Sequence, residues 1–140
     1  MTMDSSDKKT PHKPFANPGF SRSLFVALEG FKYTLIHERN MRIHLLFALL
    51  VNIAALILPV SLFEWGILWL CIGFVICFEM LNTTVETVVD LVVGEKYHPL
   101  AKRAKDIAAG AVVFAAFSSA AVGLIVFLPK VWLLMEYYFR

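Results

Sequence analysis

The feature that most constrains this chain is the length of its uncharged apolar runs. Residues Ile43 to Phe63 contain no Asp, Glu, Lys or Arg over 21 positions, and the run from Ile107 to Leu128 contains none either. About 20 apolar residues in a helix cross the hydrocarbon core of a bilayer, which is about 30 Å thick. Because 59% of the 140 residues are hydrophobic and only 17% are charged, an ordinary water-soluble globule is excluded. The sequence predicts an all-α integral membrane protein.

A further span lies between these two runs. Pro59 is expected to stop the first helix, and Ser61 followed by Glu64 has the spacing of a capping box that starts the next. No proline interrupts Leu62 to Val93, so this helix would be about 48 Å long and would protrude from the bilayer. The last helix is expected to begin at Pro99 and to stop at Pro129, which gives predicted spans at residues 43–60, 62–93 and 99–128.

The segments outside the spans have different characters. Residues 1–18 are polar and are predicted to form a mobile tail, and residues 129–140 a short aromatic tail. Between residues 20 and 37, apolar side chains recur at helical spacing, which predicts an amphipathic helix on the membrane surface. The alternative is a core helix of a soluble domain, but no soluble domain follows it. Residues 19–128 would then form one membrane domain.

The distribution of positive charges predicts the orientation. Seven Lys and Arg residues precede the first span and four lie between the second and third, whereas the Pro59 loop has none. Loops rich in Lys and Arg stay in the cytoplasm. The N-terminus is therefore expected in the cytoplasm and the C-terminus outside. The net charge of +2 is small, and we expect no nucleic-acid partner.

Polar side chains form a stripe along the second span. Glu79, Asn82, Glu86 and Asp90 are spaced by three, four and four residues, which places them on one helical face. A carboxylate inside the bilayer costs about 2.5–3.5 kcal/mol on insertion scales, so Glu79 needs a role or a partner. It could be a neutral acid that bonds across a helix interface. Alternatively, the stripe serves a cation such as Mg²⁺, because neighbouring carboxylates otherwise repel.

Basic residues follow Pro99 closely. Lys102, Arg103 and Lys105 lie in the first turns of the last helix, next to Asp106. Free backbone N–H groups and the helix dipole favour a phosphate there. The alternative is that these residues only report the positive-inside bias.

A second charged group, Glu38 to Arg42, immediately precedes the first span. This group would complete a cation and phosphate site with the acidic stripe. The alternative is that Glu38 and Arg42 form an ordinary ion pair on the helix surface. A Mg²⁺ and phosphate site at the cytoplasmic boundary is the geometry that a lipid kinase requires. The sequence has neither a P-loop nor a kinase glycine loop. A small pore or scaffold with a polar stripe is the non-enzymatic alternative.

The spacing Glu79-x-x-Asn82-x-x-x-Glu86-x-x-x-Asp90, followed by Tyr97-His98-Pro99-Leu100-Ala101-Lys102-x-Ala104-Lys105-Asp106, resembles the prokaryotic diacylglycerol kinase family. Residues 38–44 and 98–102 look like its Gram-positive branch, whose members are undecaprenol kinases. The resemblance implies three transmembrane helices, a surface helix and a homotrimer with sites shared between subunits. A stripe of small residues on the last span is suited to such packing or to packing within the chain.

The resemblance also implies an ATP- and Mg²⁺-dependent kinase of the bacterial plasma membrane. It would phosphorylate undecaprenol for carrier-lipid recycling in cell-wall synthesis, or alternatively diacylglycerol to give phosphatidic acid. Glu79 would be the general base, and Glu38 and Glu86 would hold Mg²⁺. Lys105 would contact the transferring phosphate, and Asp106 would support this contact. Asn82 and Asp90 would order a polar network. Tyr97 and His98 would lie near the nucleotide, and Arg22 would contact lipid or phosphate.

Overall fold

The computed structural model describes residues 19–94 and 96–139, and the predicted N-terminal tail lies outside them. Within these ranges the chain forms four helices and no strand: α1 (Phe20–His37), α2 (Arg39–Ile57), α3 (Leu62–Val93) and α4 (Pro99–Phe139). Helices α2, α3 and α4 are long and apolar enough to cross a membrane. The prediction of an all-α membrane protein is confirmed.

Helix ends follow the local sequence. Ser61 Oγ accepts a hydrogen bond from the Glu64 amide at 3.3 Å, and the Glu64 carboxylate accepts one from the Ser61 amide at 2.7 Å. This is the predicted capping box, and it pairs amide groups that would otherwise lack partners at the start of α3. At the other end, Gly94 adopts φ 59°, a conformation that glycine tolerates best.

The last helix differs from the expectation, because α4 does not stop at Pro129 but continues to Phe139. A proline inside a helix removes one backbone hydrogen bond and crowds the preceding turn. Spanning helices tolerate this because neighbouring groups stabilise the turn. Here Lys130 Nζ lies 2.5 Å from Glu64 Oε1 and ties the turn after Pro129 to the start of α3. The predicted aromatic tail is thus a continuation of the helix as far as Phe139.

Helix α3 is the centre of the bundle, packing along α4 on one side and against α2 on the other, while α1 packs on α2 and α3. Ser119 of α4 donates a hydrogen bond to the Cys71 carbonyl of α3 at 3.3 Å, and Ala115 is buried. The small residues of α4 therefore pack within the chain. We call the end that holds Glu86 and Lys105 the charged end, and the end that holds Trp65 and Trp132 the aromatic end.

Candidate functional site

The most unusual side chain in the bundle is Glu79, the first residue of the acidic stripe, which is 1% exposed. Both of its carboxylate oxygens are buried without a hydrogen-bond partner in the described residues, and so is Oδ1 of Asn82. Buried acceptors are nearly always paired, and an unpaired one costs about 1–3 kcal/mol. Three unpaired oxygens on residues three positions apart in α3 form a place for a hydroxyl donor or a cation.

Two further carboxylates surround Glu79. Glu38 is the N-cap residue of α2, and Glu86 lies two turns beyond Glu79 on α3. Both are close enough for their negative charges to act on Glu79. Asn82 donates from Nδ2 to Glu86 Oε1 at 3.0 Å, which fixes one oxygen of that carboxylate. Four of the predicted site residues, Glu38, Glu79, Asn82 and Glu86, are therefore together at the charged end.

Glu38 is not paired with Arg42, which was the alternative explanation of the charged group before the first span. In the described residues no ion pair joins the two side chains; instead, Arg42 Nη1 donates to the Ile36 carbonyl at 2.6 Å. The last carbonyls of α1 lack helical partners and carry the negative end of the helix dipole, so they attract the guanidinium. The Glu38 carboxylate is thereby available to Glu79 and Glu86, and we call these three carboxylates the acidic cluster.

The cations of α4 contact two different carboxylates. Lys105 Nζ lies 2.6 Å from Asp90 Oδ1 of α3, and Lys102 pairs with Asp106 one turn along its own helix. Asp106 therefore contacts Lys102, and its role in supporting the phosphate contact of Lys105 stays a prediction. The Lys105 side chain remains 36% exposed, so its ammonium group can still meet a phosphate.

The other predicted residues lie farther out. Tyr97 and His98 are exposed in the connection between α3 and α4, where His98 Nδ1 accepts a hydrogen bond from the Leu100 amide at 3.2 Å. Arg22 is exposed in the first turn of α1, about 22 Å along the helix axis from His37. None of the hydrogen bonds or ion pairs in the described part of the chain joins Arg22 to the acidic cluster.

Sequence reasoning missed His44 of α2, whose Nε2 lies 3.9 Å from Glu79 Oε2. Its side chain is 19% exposed. A neutral histidine carries no formal charge, so the sequence predicts a first span without a charged group. The available signal was an ionisable side chain six residues after Glu38 in an otherwise apolar run.

A groove of about 850 Å³ runs between α2, α3 and α4. Asn40, His44, Glu79 and Asn82 line its polar end, and the rest of its wall is almost entirely apolar. Grooves of this size and character accommodate an apolar ligand with one polar group. A long-chain alcohol can therefore place its hydroxyl at Glu79 and its chain along the groove towards the aromatic end.

The acidic cluster is suited to Mg²⁺ only together with a further ligand. In the described residues no group of three His, Cys, Asp or Glu side chains is arranged to hold a metal ion by itself. Mg²⁺, however, is commonly bound by one or two carboxylates plus the phosphates of a nucleotide. Glu38 and Glu86 supply two carboxylates, and the unpaired oxygens of Glu79 and Asn82 keep their surroundings polar. The residues fit an ion that arrives with a nucleotide.

Comparison with known proteins identifies the family. The family model described as prokaryotic diacylglycerol kinase matches residues 25–127. An undecaprenol kinase of Bacillus subtilis is 43% identical over 91% of this chain and 99% of its own length. A diacylglycerol kinase of Synechocystis is 42% identical over 84% of this chain and 67% of its own length, and one of Helicobacter pylori is 34% identical over 76% and 82%. The chain therefore belongs to the prokaryotic diacylglycerol kinase family of lipid kinases.

Proposed function

We propose that this protein phosphorylates undecaprenol with the γ-phosphate of ATP in a Mg²⁺-dependent reaction. The observation that carries the proposal is the position of Glu79, buried with two unpaired oxygens at the polar end of an apolar groove. The relative named undecaprenol kinase, which aligns along nearly the whole of both chains, supports this acceptor. The product, undecaprenyl phosphate, would return to the carrier-lipid pool for cell-wall synthesis.

Glu79 would act as the general base. The acceptor hydroxyl loses its proton to Glu79 while its oxygen forms a bond to the γ-phosphorus of ATP. The bond from that phosphorus to the bridging oxygen breaks, and ADP leaves with the bonding electron pair. Positioning and charge stabilisation supply most of the catalysis of such a transfer. Burial of Glu79 (1% exposed) excludes water, which would compete with the lipid hydroxyl.

The charged end would hold the nucleotide. Glu38 and Glu86 would bind the Mg²⁺ ion, which offsets phosphate charge when it is bound. Lys105, held by Asp90 at 2.6 Å, would contact the transferring phosphate, with Asp106 close by on the same helix. Tyr97 and His98 would lie near the nucleotide, and Asn82 would order Glu86. Arg22 would contact lipid or phosphate at the far end of α1.

Diacylglycerol is the alternative acceptor, with phosphatidic acid as its product. Relatives named diacylglycerol kinase at 42% and 34% identity support it, and the phosphoryl-transfer residues would serve either lipid. One groove leads from Glu79 along the bundle, which favours an acceptor with one long chain. Membership in a family of lipid kinases replaces the pore or scaffold alternative.

We further propose a homotrimer with the N-terminus in the cytoplasm and the C-terminus outside. The matched residues 25–127 fall within the membrane kinase domain proposed at residues 19–128. Large apolar side chains such as Phe74, Phe114 and Phe117 are more than half exposed in the single chain, so lipid or other subunits must cover them. Chemical cross-linking in mild detergent that stops at three subunits would support the trimer, and a species of one chain would contradict it.

The test of function measures transfer of labelled γ-phosphate from ATP to undecaprenol and, separately, to diacylglycerol in detergent micelles. Glu79→Gln serves as the control, because it preserves shape and removes the base. Preference for undecaprenol supports the proposed function, and preference for diacylglycerol supports the alternative. Transfer to neither lipid would contradict both, and full activity of Glu79→Gln would remove Glu79 from the chemistry.

A further inference from the structure

One basic side chain of the described residues, His44, lies close to the carboxylate of Glu79. Among the residues that the structure describes, His44 is the single His, Lys or Arg whose nitrogen lies within 4 Å of it, with 3.9 Å between Nε2 and Oε2. The distance exceeds that of a hydrogen bond. Both side chains line the polar end of the same groove, although they belong to different helices, α2 and α3.

No side chain in the described part of the chain donates a hydrogen bond to the Glu79 carboxylate. Glu38 and Glu86 act on it with negative charge, and the Asn82 amide group already donates to Glu86. The neighbouring wall from α4 is built of Ala109, Val112, Val113 and Ala116, which carry no polar side-chain atoms. Two like charges repel a carboxylate in this position. Only an N–H group directed at it would stabilise its orientation.

We propose that His44 donates a hydrogen bond from Nε2 to Oε2 of Glu79 and is a positioning residue for the proton acceptor. The inference rests on the proposed function. A movement of about 1 Å brings the two atoms into hydrogen-bond range, and catalytic contacts of this kind commonly tighten when substrate is bound. With Oε2 held by His44, Oε1 is directed to the acceptor hydroxyl. His44 itself exchanges no proton with the lipid.

The test separates the donor from the volume of the side chain. His44→Gln keeps an amide donor close to the position of Nε2, whereas His44→Leu removes the donor at similar size. A hydrogen bond to a charged group is worth about 10- to 100-fold in rate, so we expect that loss of kcat in His44→Leu, with the KM for ATP within about twofold of wild type. His44→Gln should recover kcat to within about fivefold of wild type. His37→Leu, at an exposed histidine of α1, is the matched control and should not change kcat.

A second measurement asks whether His44 acts through Glu79. Glu79→Asp keeps a carboxylate but shortens it, so the His44 contact is already weakened. We expect His44→Leu to lower kcat much less in the Glu79→Asp background than in wild type, because the effects of coupled residues do not add. Thermal unfolding in micelles identifies variants that fail to fold. If His44→Leu is one of them, His44→Met replaces it, since methionine also lacks the donor.

The outcomes are distinct. Wild-type protein that phosphorylates no lipid contradicts the proposed function itself. If wild type is active, kcat of the folded His44→Leu or His44→Met protein within twofold of wild type overturns the role of His44 while the function stands. The role is equally overturned if His44→Gln is as slow as His44→Leu, or if the losses from His44 and Glu79 are independent.

Discussion

Lys105 of α4 lies 2.6 Å from Asp90 of α3, and this contact joins the two helices at the charged end. The partners are 15 residues apart, on either side of a connection that begins at Gly94 and ends before Pro99. Both side chains are more than a third exposed, so the pair contributes at most about 1 kcal/mol to stability. Its main consequence is the position of the Lys105 ammonium group next to the acidic cluster.

Asp90→Asn tests that consequence. Without the carboxylate, Lys105 gains rotational freedom, and its contact with the transferring phosphate weakens. We expect kcat/KM for ATP to fall about 10-fold, with a change in unfolding free energy below about 1 kcal/mol. Steady-state kinetics and thermal unfolding measure the two quantities. A large loss of stability with unchanged kinetics would instead make Asp90 a structural residue.

Glu86→Gln tests the metal assignment. The variant keeps a group that can accept the Asn82 hydrogen bond of 3.0 Å but loses the negative charge that favours Mg²⁺. Mg²⁺ is bound by one or two carboxylates together with phosphates, so loss of one carboxylate weakens its binding. We expect the Mg²⁺ concentration for half-maximal activity to rise at least about 10-fold. A Mg²⁺ titration of kinase activity measures this. Glu136→Gln, at an exposed carboxylate of the opposite end, is the control and should leave the Mg²⁺ titration unchanged. Equal Mg²⁺ dependence of Glu86→Gln and wild type would remove Glu86 from the metal site.

Much of the fold could be predicted because its signals are local. The spacing of Ser61 and Glu64 marks the start of α3, and the predicted bounds 20–37 and 62–93 coincide with α1 and α3. The stop at Pro129 was wrong, because the Lys130 to Glu64 contact that stabilises this turn joins residues 66 positions apart. A proline rule considers only its own helix.

The candidate site was predictable where helical spacing brings side chains together, as for Glu79, Asn82 and Glu86. It was not predictable where two helices meet. The approach of His44 to Glu79 depends on how α2 packs against α3. Arg42 donates to a carbonyl at the end of α1 rather than to the Glu38 carboxylate, and this depends on the break between α1 and α2. Spacing along one helix contains neither fact.

The contacts at the aromatic end predict a change in stability without a change in chemistry. Ser61→Ala removes the side-chain oxygen that accepts from the Glu64 amide at 3.3 Å, and loss of such a cap costs about 1 kcal/mol. Lys130→Met removes the cation that ties α4 to Glu64 and should also lower Tm. Thermal unfolding in micelles measures both. Since these residues are at the end opposite Glu79, kcat and both KM values should match wild type, and a changed kcat would contradict that separation.

The groove predicts that chain length matters for the acceptor. Gly123 lines it near the aromatic end, and a Cβ added there meets no atom within 4 Å, so Gly123→Phe places its ring in the groove without a backbone clash. We expect the KM for undecaprenol to rise about 10-fold or more, while the KM for ATP and the rate with a short prenol stay near wild type. Ala121→Phe, on the exposed side of α4 outside the groove, controls for added bulk. If Gly123→Phe and Ala121→Phe have the same kinetics with the long acceptor, the chain does not lie in this groove.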